Sequence, residues 1–286
     1  MNEILQELLN LLDLERIEEN LFRGGSLDLG GISVFGGQVL GQALVAAGRT
    51  VAGRRAHSLH AYFLRPGDMT APIVYDVDRI RDGRSFSTRR IVAIQHGEPI
   101  FTMAASFQID EGGLEHQTPM PDVPGPEGLP SLVDLRRKMA ELDPERFGFG
   151  QKGLRELPIE IRPVEPANPY KLGRQPPAQK IWFRAVGRIP DDPGLHQAVL
   201  AYASDFGLLR TASLTHEISF RQKNVHAASI DHAMWFHRDF RADQWLLYVT
   251  ESPSASGSRG FALGNIFSRD GTLVASVAQE GLMRVG

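Results

Sequence analysis

Residues 196–209 read His196-Gln-Ala-Val-Leu-Ala-Tyr-Ala-Ser-Asp205-Phe-Gly-Leu-Leu209, and this stretch decides how the rest of the chain folds. It is predicted to be one helix, and residues 198–203 are apolar on almost every side of it. A helix that is apolar all round is buried. Gly207 is a suitable C-terminal stop, because glycine tolerates the left-handed conformation. Asp205 is the exception, since its carboxylate would lie buried at the negative end of the helix dipole.

A second small, apolar helix is predicted at 35–47, where three glycines allow another backbone to approach closely. An amphipathic helix at 3–14 is predicted to cover the core, and another helix is expected at 132–142. Segments rich in β-branched and aromatic residues, bounded by turn formers, are predicted strands. They are 18–23, 57–64, 72–80, 85–95 and 100–109 in the first half, and 158–164, 180–187, 229–236, 244–251, 259–267 and 273–282 in the second.

The second half of the chain repeats the first. Residues 62–65 match 235–238 and Tyr75 matches Tyr248 at a shift of 173, and the turns at 96–97 and 270–271 match at 174. A repeat of this length, each copy a long apolar helix followed by a meandering antiparallel sheet, indicates duplication. A sheet that covers a buried helix curls around it. The sequence therefore predicts an α+β double hotdog, with an N-terminal hotdog (1–112), a proline-rich linker with a short helix (113–154) and a C-terminal hotdog (155–286).

Composition limits the classes of function. The 286 residues carry a net charge of −3 and no basic block, which argues against nucleic acid as a partner. No apolar run is long enough to span a membrane, and neither a signal peptide nor a peroxisomal address is recognised at the termini. The absence of cysteine excludes disulfides, thiolate metal sites and a cysteine nucleophile. The prediction is a cytoplasmic enzyme or binding protein.

Three polar residues interrupt the apolar pattern of the second half. Asp205 ends the buried helix, Ser229 begins a strand, and Gln279 lies within the apolar strand 273–282. A carboxylate, a hydroxyl and an amide that converge beside a buried helix could hold a water molecule, with the carboxylate as base. The sequence contains no Gly-x-Ser-x-Gly, Walker or His-Glu-x-x-His motif, and its histidines are scattered. Neither a metal nor a cofactor is predicted.

Several blocks in the same order resemble the acyl-CoA thioesterase II family, the double-hotdog thioesterases of bacteria and peroxisomes, over essentially the whole chain. The blocks are 21–25, 34–44, 57–68, 81–87, 202–205, 229–238 and 279–281. The resemblance implies hydrolysis of acyl-CoA by a water molecule that an Asp, a Thr or Ser, and a Gln orient. These roles fall on Asp205, Ser229 and Gln279. Bacterial members typically have Thr where this chain has Ser229, and the hydroxyl is retained.

The chemistry that the resemblance implies needs sites for the substrate. Backbone N–H groups near Gly36 and Gly37, at the positive end of a helix dipole, are candidates for binding the oxyanion. An acyl chain could lie between helix and sheet. The phosphates of coenzyme A need cations, and the candidates are Arg65, Arg84, Arg89 and Arg259. Hotdog proteins usually associate, so a homo-oligomer, dimer or tetramer, is expected.

Two alternatives remain open from the sequence. Asp191 and His196 are five residues apart, as in the hotdog enoyl-CoA hydratases, although Asp191 or Asp192 before Pro193 is also ordinary helix-capping chemistry. The other alternative is an acyl-CoA binder without catalytic activity, since duplication often leaves one copy degenerate.

Overall fold

The computed structural model describes residues 2–29, 31–144, 154–165, 174–218, 220, 222 and 224–286. The helices in these ranges are α1 (Glu3–Leu12), α2 (Gly36–Gly48), α3 (Leu132–Leu142), α4 (Pro193–Ser204) and α5 (Leu208–Ser213). The strands are β1 (Glu15–Glu18), β2 (Leu21–Gly24), β3 (Arg55–Phe63), β4 (Ile73–Asp82), β5 (Phe86–Gln95), β6 (Glu98–Gln108), β7 (Ile159–Pro163), β8 (Ala178–Ala185), β9 (Val225–Ser229), β10 (Asp231–Phe236), β11 (Leu246–Ser256), β12 (Arg259–Ser268) and β13 (Leu273–Val285). Within the described part of the chain, no helix is both long and apolar enough to cross a membrane.

The strands form one 13-stranded sheet in the order β1-β2-β4-β5-β6-β3-β10-β13-β12-β11-β8-β7, with β9 also beside β13. β3 and β10 pair antiparallel and join the two halves of the sheet. Outward from this junction, one half continues with β6, β5 and β4, and the other with β13, β12 and β11. The two halves therefore share one strand connectivity, and the prediction of an antiparallel sheet built around buried helices is confirmed.

Helices α2 and α4 pack directly against each other in the core, and nearly all their residues are buried. A Cβ atom on Gly37 would lie 2.3 Å from the carbonyl oxygen of Tyr202, and one on Gly41 would lie 3.0 Å from that of Ala198. The contacts advance along α2 as they move back along α4, so the helices are antiparallel. The C-terminus of α4 consequently faces the N-terminus of α2.

The predicted helix at 196–209 is two helices. α4 ends at Ser204, Asp205 is its C-cap, and α5 begins at Leu208. Gly207 separates them with a φ of +79°, a left-handed conformation that glycine adopts without strain. The prediction of one continuous helix is therefore wrong, although Gly207 does act as the stop. The break places Asp205 in a tight turn at the end of α4, from which its side chain reaches the N-terminus of α2.

The predicted strand at 229–236 is also divided. Ser229 ends β9 and β10 starts at Asp231. Between them, Ile230 donates its N–H to the carbonyl of Glu280 and accepts from the N–H of Phe63. Among the described strands, β9 pairs with β13 alone, whereas β10 pairs with both β13 and β3. Ser229 is thus held against β13 at the point where the chain gains β3 as a second neighbouring strand.

The proline-rich segment 111–130 lies against the second half of the sheet. The indole N–H of Trp182 donates to the carbonyl of Pro124 at 2.8 Å, and Met120, Val123 and Leu129 pack on a small apolar cluster around Trp182. These contacts fix part of the predicted linker (113–154) on the sheet. Its segment 145–153 lies outside the described residues.

The close contact between the helices predicts that Gly37→Ala is destabilising. The added methyl group would meet a backbone oxygen that cannot rotate away, so we expect the free energy of unfolding to fall by about 1–3 kcal/mol. Gly48→Ala in the same helix is the control, because its methyl group would meet nothing nearer than the Phe107 ring at 4.0 Å. Urea titration of the two variants measures the difference. Equal stability of both would contradict the packing described here.

Candidate active site

Asp205 lies where the C-terminus of α4 meets the N-terminus of α2, with its side chain only 6% exposed. Its Oδ2 accepts a hydrogen bond of 2.9 Å from the N–H of Gly37. Phe35, the N-cap of α2, makes no side-chain capping bond, so Asp205 supplies the cap from another helix. The positive end of the α2 dipole stabilises a negative charge at this point, which opposes the unfavourable dipole of α4.

Gln279 connects Asp205 to Ser229. The Nε2 of Gln279 lies 2.7 Å from Oδ1 of Asp205 and 3.1 Å from Oγ of Ser229. Gln279 is 1% exposed in the middle of β13, and Ser229 pairs with Gly281 of the same strand. The structure therefore brings together the three side chains that the sequence singled out. The Oε1 of Gln279 is buried and has no hydrogen-bond partner among the described residues.

Sequence reasoning missed a fourth member of this cluster. The Nδ1 of His232 lies 3.2 Å from Nε2 of Gln279, and its Nε2 lies 3.0 Å from Oγ of Ser204. Burial lowers the pKa of the His232 imidazole below its usual value, and the nearby Asp205 opposes this effect. A lone histidine in a strand is usually a core residue. Its position three residues before the matched block 235–238 was the available signal, but only coordinates show what it contacts.

The aromatic side chains beside Asp205 form an apolar wall. The ring of Phe35 stacks on Phe206 at 4.6 Å and meets Tyr202 edge-on at 5.3 Å. The ring of Phe63 closes the other side, since it would lie 2.9 Å from a Cβ on Gly36. An apolar surface of this kind shields the carboxylate from bulk water and is suited to an acyl group.

The predicted oxyanion donors need one correction. The N–H of Gly37 donates to Asp205, so it is not free to bind an oxyanion. Gly36 precedes it in the first turn of α2, whose N–H groups have no acceptor within the helix. Of the two predicted donors, the N–H of Gly36 is the one that remains.

The cations proposed for coenzyme A also divide into two groups. Arg89 is 1% exposed and forms an ion pair of 2.7 Å with the half-exposed Asp82, so its own guanidinium is not available to a phosphate at the surface. That expectation was wrong, because sequence alone does not distinguish a buried arginine from a solvated one. Arg65 and Arg259 lie at the surface, each paired with a glutamate, and Arg84 is exposed.

The residues of the hydratase alternative lie at the opposite end of α4 and have other partners. Asp192 is the N-cap, and its side chain accepts a hydrogen bond of 2.9 Å from a first-turn N–H. Asp191 is bound to the guanidinium of Arg241. The Nδ1 of His196 accepts from the N–H of Ala242 at 3.0 Å. These contacts favour capping and surface ion pairing over an acid–base pair of Asp191 and His196.

Comparisons with known proteins agree along the whole chain. A family model described as acyl-CoA thioesterase matches residues 150–282, and one described as acyl-CoA thioesterase N-terminal domain matches residues 25–108. The chain is 46% identical to acyl-CoA thioesterase 2 of Haemophilus influenzae over 99% of both chains. It is 45% identical to human acyl-coenzyme A thioesterase 8, with 96% of this chain and 88% of that protein covered.

Solved structures give the same result. The structure of an acyl-CoA thioesterase II from Mycobacterium marinum superposes with a TM-score of 0.79 at 44% identity, covering 98% of each chain. A protein of Alicyclobacillus acidocaldarius described as having a hot dog fold superposes at 0.78 with 20% identity over 98% of each chain, a likeness of fold alone. The fold and these comparisons together define a hotdog-fold thioesterase. Within that class, the chain belongs to the acyl-CoA thioesterase II family.

The hydrogen bonds of Asp205 predict the effect of Asp205→Asn on stability. Both carboxylate oxygens accept from N–H donors, and asparagine offers only one oxygen. One donor would then face an NH₂ group, so we expect the free energy of unfolding to fall by about 1–3 kcal/mol. Asp191→Asn, at the exposed end of the same helix, should change stability little. If Asp205→Asn unfolds at the same urea concentration as the parent protein, the carboxylate does not hold the two helix ends together.

Proposed function

We propose that this chain hydrolyses acyl-CoA to a free fatty acid and CoA, with a water molecule activated by Asp205, Ser229 and Gln279 and without a covalent intermediate. One observation carries the proposal. A sheltered carboxylate is held by an N–H of one helix and by the amide of Gln279, and the same amide contacts the hydroxyl of Ser229. The names of the bacterial and human relatives identify acyl-CoA as the thioester.

In the proposed reaction Asp205 is the general base. Each carboxylate oxygen uses one lone pair on a protein donor and keeps another for a water hydrogen. The unpartnered Oε1 of Gln279 is a second acceptor beside it. Ser229 accepts from Gln279, so its own hydroxyl hydrogen is available for the oxygen of the water. A water molecule held in this way directs its remaining lone pair at the thioester carbonyl.

The bond changes follow from these contacts. Asp205 takes a proton as the water oxygen forms the new C–O bond, and the C–S bond breaks when the tetrahedral intermediate collapses. The leaving thiolate is a stronger base than a carboxylate, since an ordinary thiol such as that of cysteine has a pKa of about 8.5, and it then recovers the proton from Asp205. The N–H of Gly36 would stabilise the oxyanion. The aromatic wall of Phe35, Tyr202 and Phe206 would contact the acyl group.

A covalent route through cysteine or serine has no activated nucleophile at this site. The chain contains no cysteine. The hydroxyl of Ser229 has an amide N–H as its neighbour, and an N–H cannot remove its proton. The ring nitrogen of His232 that could serve as a base is turned to Gln279 instead. A serine nucleophile needs an adjacent base, so direct attack by water is favoured.

The further parts of the proposal rest on the fold and on the family. The two halves are tandem hotdog repeats, with domains 1–112 and 155–286 on either side of the linker 113–154, and the catalytic residues lie in the second. The protein is cytoplasmic and forms a homo-oligomer, dimer or tetramer. It needs neither a metal nor a cofactor, because the carboxylate supplies the base.

The experiment measures release of free thiol from a panel of acyl-CoA substrates. Asp205→Asn should lower kcat by about 10²–10⁴-fold, the usual contribution of a general base. Asp191→Asn, a change of the same type at the other end of α4, should retain full activity. Activity that survives Asp205→Asn would refute the base assignment. Binding of acyl-CoA without thiol release by the parent protein would favour the silent binder, and hydration of an enoyl-CoA that depends on His196 would favour the hydratase.

A further inference from the structure

We propose that His232 is a positioning residue for hydrolysis: as a neutral imidazole protonated on Nε2, it fixes the orientation of the Gln279 amide, so that Oε1 of Gln279 is directed toward the attacking water. This inference rests on the function proposed above. It assigns a task to a buried polar side chain that the three-residue site does not use.

The hydrogen bonds of Ser204 determine the tautomer of His232. The hydroxyl of Ser204 donates to the carbonyl of Ala201 at 2.9 Å, which leaves its oxygen as an acceptor. The Nε2 of His232, 3.0 Å away, must then carry the hydrogen. In a neutral imidazole only one ring nitrogen is protonated, so Nδ1 presents a lone pair. The buried ring has 0% exposure, which disfavours a second proton.

The bare Nδ1 of His232 determines the orientation of the Gln279 amide. The amide nitrogen lies 2.7 Å from Oδ1 of Asp205, 3.1 Å from Oγ of Ser229 and 3.2 Å from Nδ1 of His232. It has two hydrogens, so one is donated to Asp205 and the other is shared by Ser229 and His232. Asp205 and His232 can only accept from it. A flipped amide would set its oxygen against two acceptors and would lose both hydrogen bonds. With the nitrogen held by these acceptors, Oε1 is the remaining polar atom of the amide, buried and without a partner among the residues that the structure describes. A carbonyl in that position needs a donor, and the attacking water is one.

The first half of the sheet shows that the fold does not require a polar pair at this position. In β3 and β6, Leu59 lies directly opposite Ala105, and both are buried. In β10 and β13, Ala233 lies opposite Ala278, and the next pair in that register is His232 and Gln279. Leu59 matches His232 at the shift of 173. An apolar pair occupies this place in one half and a polar pair in the other, so the polar pair serves the site.

His232→Leu and His232→Asn test the proposal. Leucine is the residue of the matched position 59, so the fold should accept it, but it cannot hold the amide. We expect kcat to fall roughly 10- to 100-fold, the equivalent of a lost hydrogen bond to a buried group, while KM changes less than about threefold. Asparagine can place a carbonyl oxygen close to the position of Nδ1, so His232→Asn should recover most of kcat. Unchanged kcat in His232→Leu, or equal losses in both variants, would overturn the proposal.

The ring nitrogens of His232 give an independent readout. In protein labelled with ¹⁵N-histidine, the His232 signals are those that vanish in His232→Asn. We expect the spectrum of a neutral ring protonated on Nε2 at neutral pH, and a ring protonated on Nδ1 or on both nitrogens would overturn the proposal. The two hypotheses can fail separately. If Asp205→Asn abolishes thiol release and His232→Leu does not affect it, only the role of His232 is refuted; if Asp205→Asn stays active, the proposed function itself fails.

Discussion

The structure depends on one contact, the hydrogen bond from the N–H of Gly37 to the carboxylate of Asp205. Asp205 lies at the C-terminus of α4, where the dipole of its own helix repels a negative charge. The N-terminus of α2 faces it and opposes that repulsion. This arrangement requires α2 and α4 to be antiparallel and in close contact, which Gly37 and Gly41 permit. The small residues of the two helices therefore serve the site as well as the packing.

The polar cluster around Asp205 lies in a core that is otherwise apolar. Its polar groups find their hydrogen-bond partners mainly within the cluster. Asp205 accepts from the N–H of Gly37 and from the amide of Gln279, and that amide also contacts His232. Buried polar groups need such partners, and within this cluster the Oε1 of Gln279 lacks one among the described residues. A single unsatisfied acceptor next to a sheltered carboxylate is the feature expected of a site that holds one water molecule. The same shelter strengthens the electrostatic effect of the carboxylate on that water.

The sequence predicted the elements better than their junctions. Apolar patterning located α2, α3 and most strands to within a few residues, but it missed β1 and most of β9. Polar interruptions of the pattern singled out Asp205, Ser229 and Gln279. Gly207 was predicted as a stop, but the separate helix that begins after it was not, because Leu208 and Leu209 continue the apolar run. The contacts of His232 and the use of the Gly37 N–H were also beyond prediction. Both depend on which residues of distant segments meet in space, and one sequence does not contain that information.

The central claim is that water attacks the thioester directly. The measurement is a single turnover of acyl-CoA by excess enzyme in H₂¹⁸O, quenched within milliseconds and followed by intact and peptide mass spectrometry. The account predicts that free acid and CoA appear together, that the acid carries the label, and that the chain keeps its mass throughout. A chain heavier by one acyl group at an early time, or ¹⁸O in the peptide that contains Asp205, would contradict it.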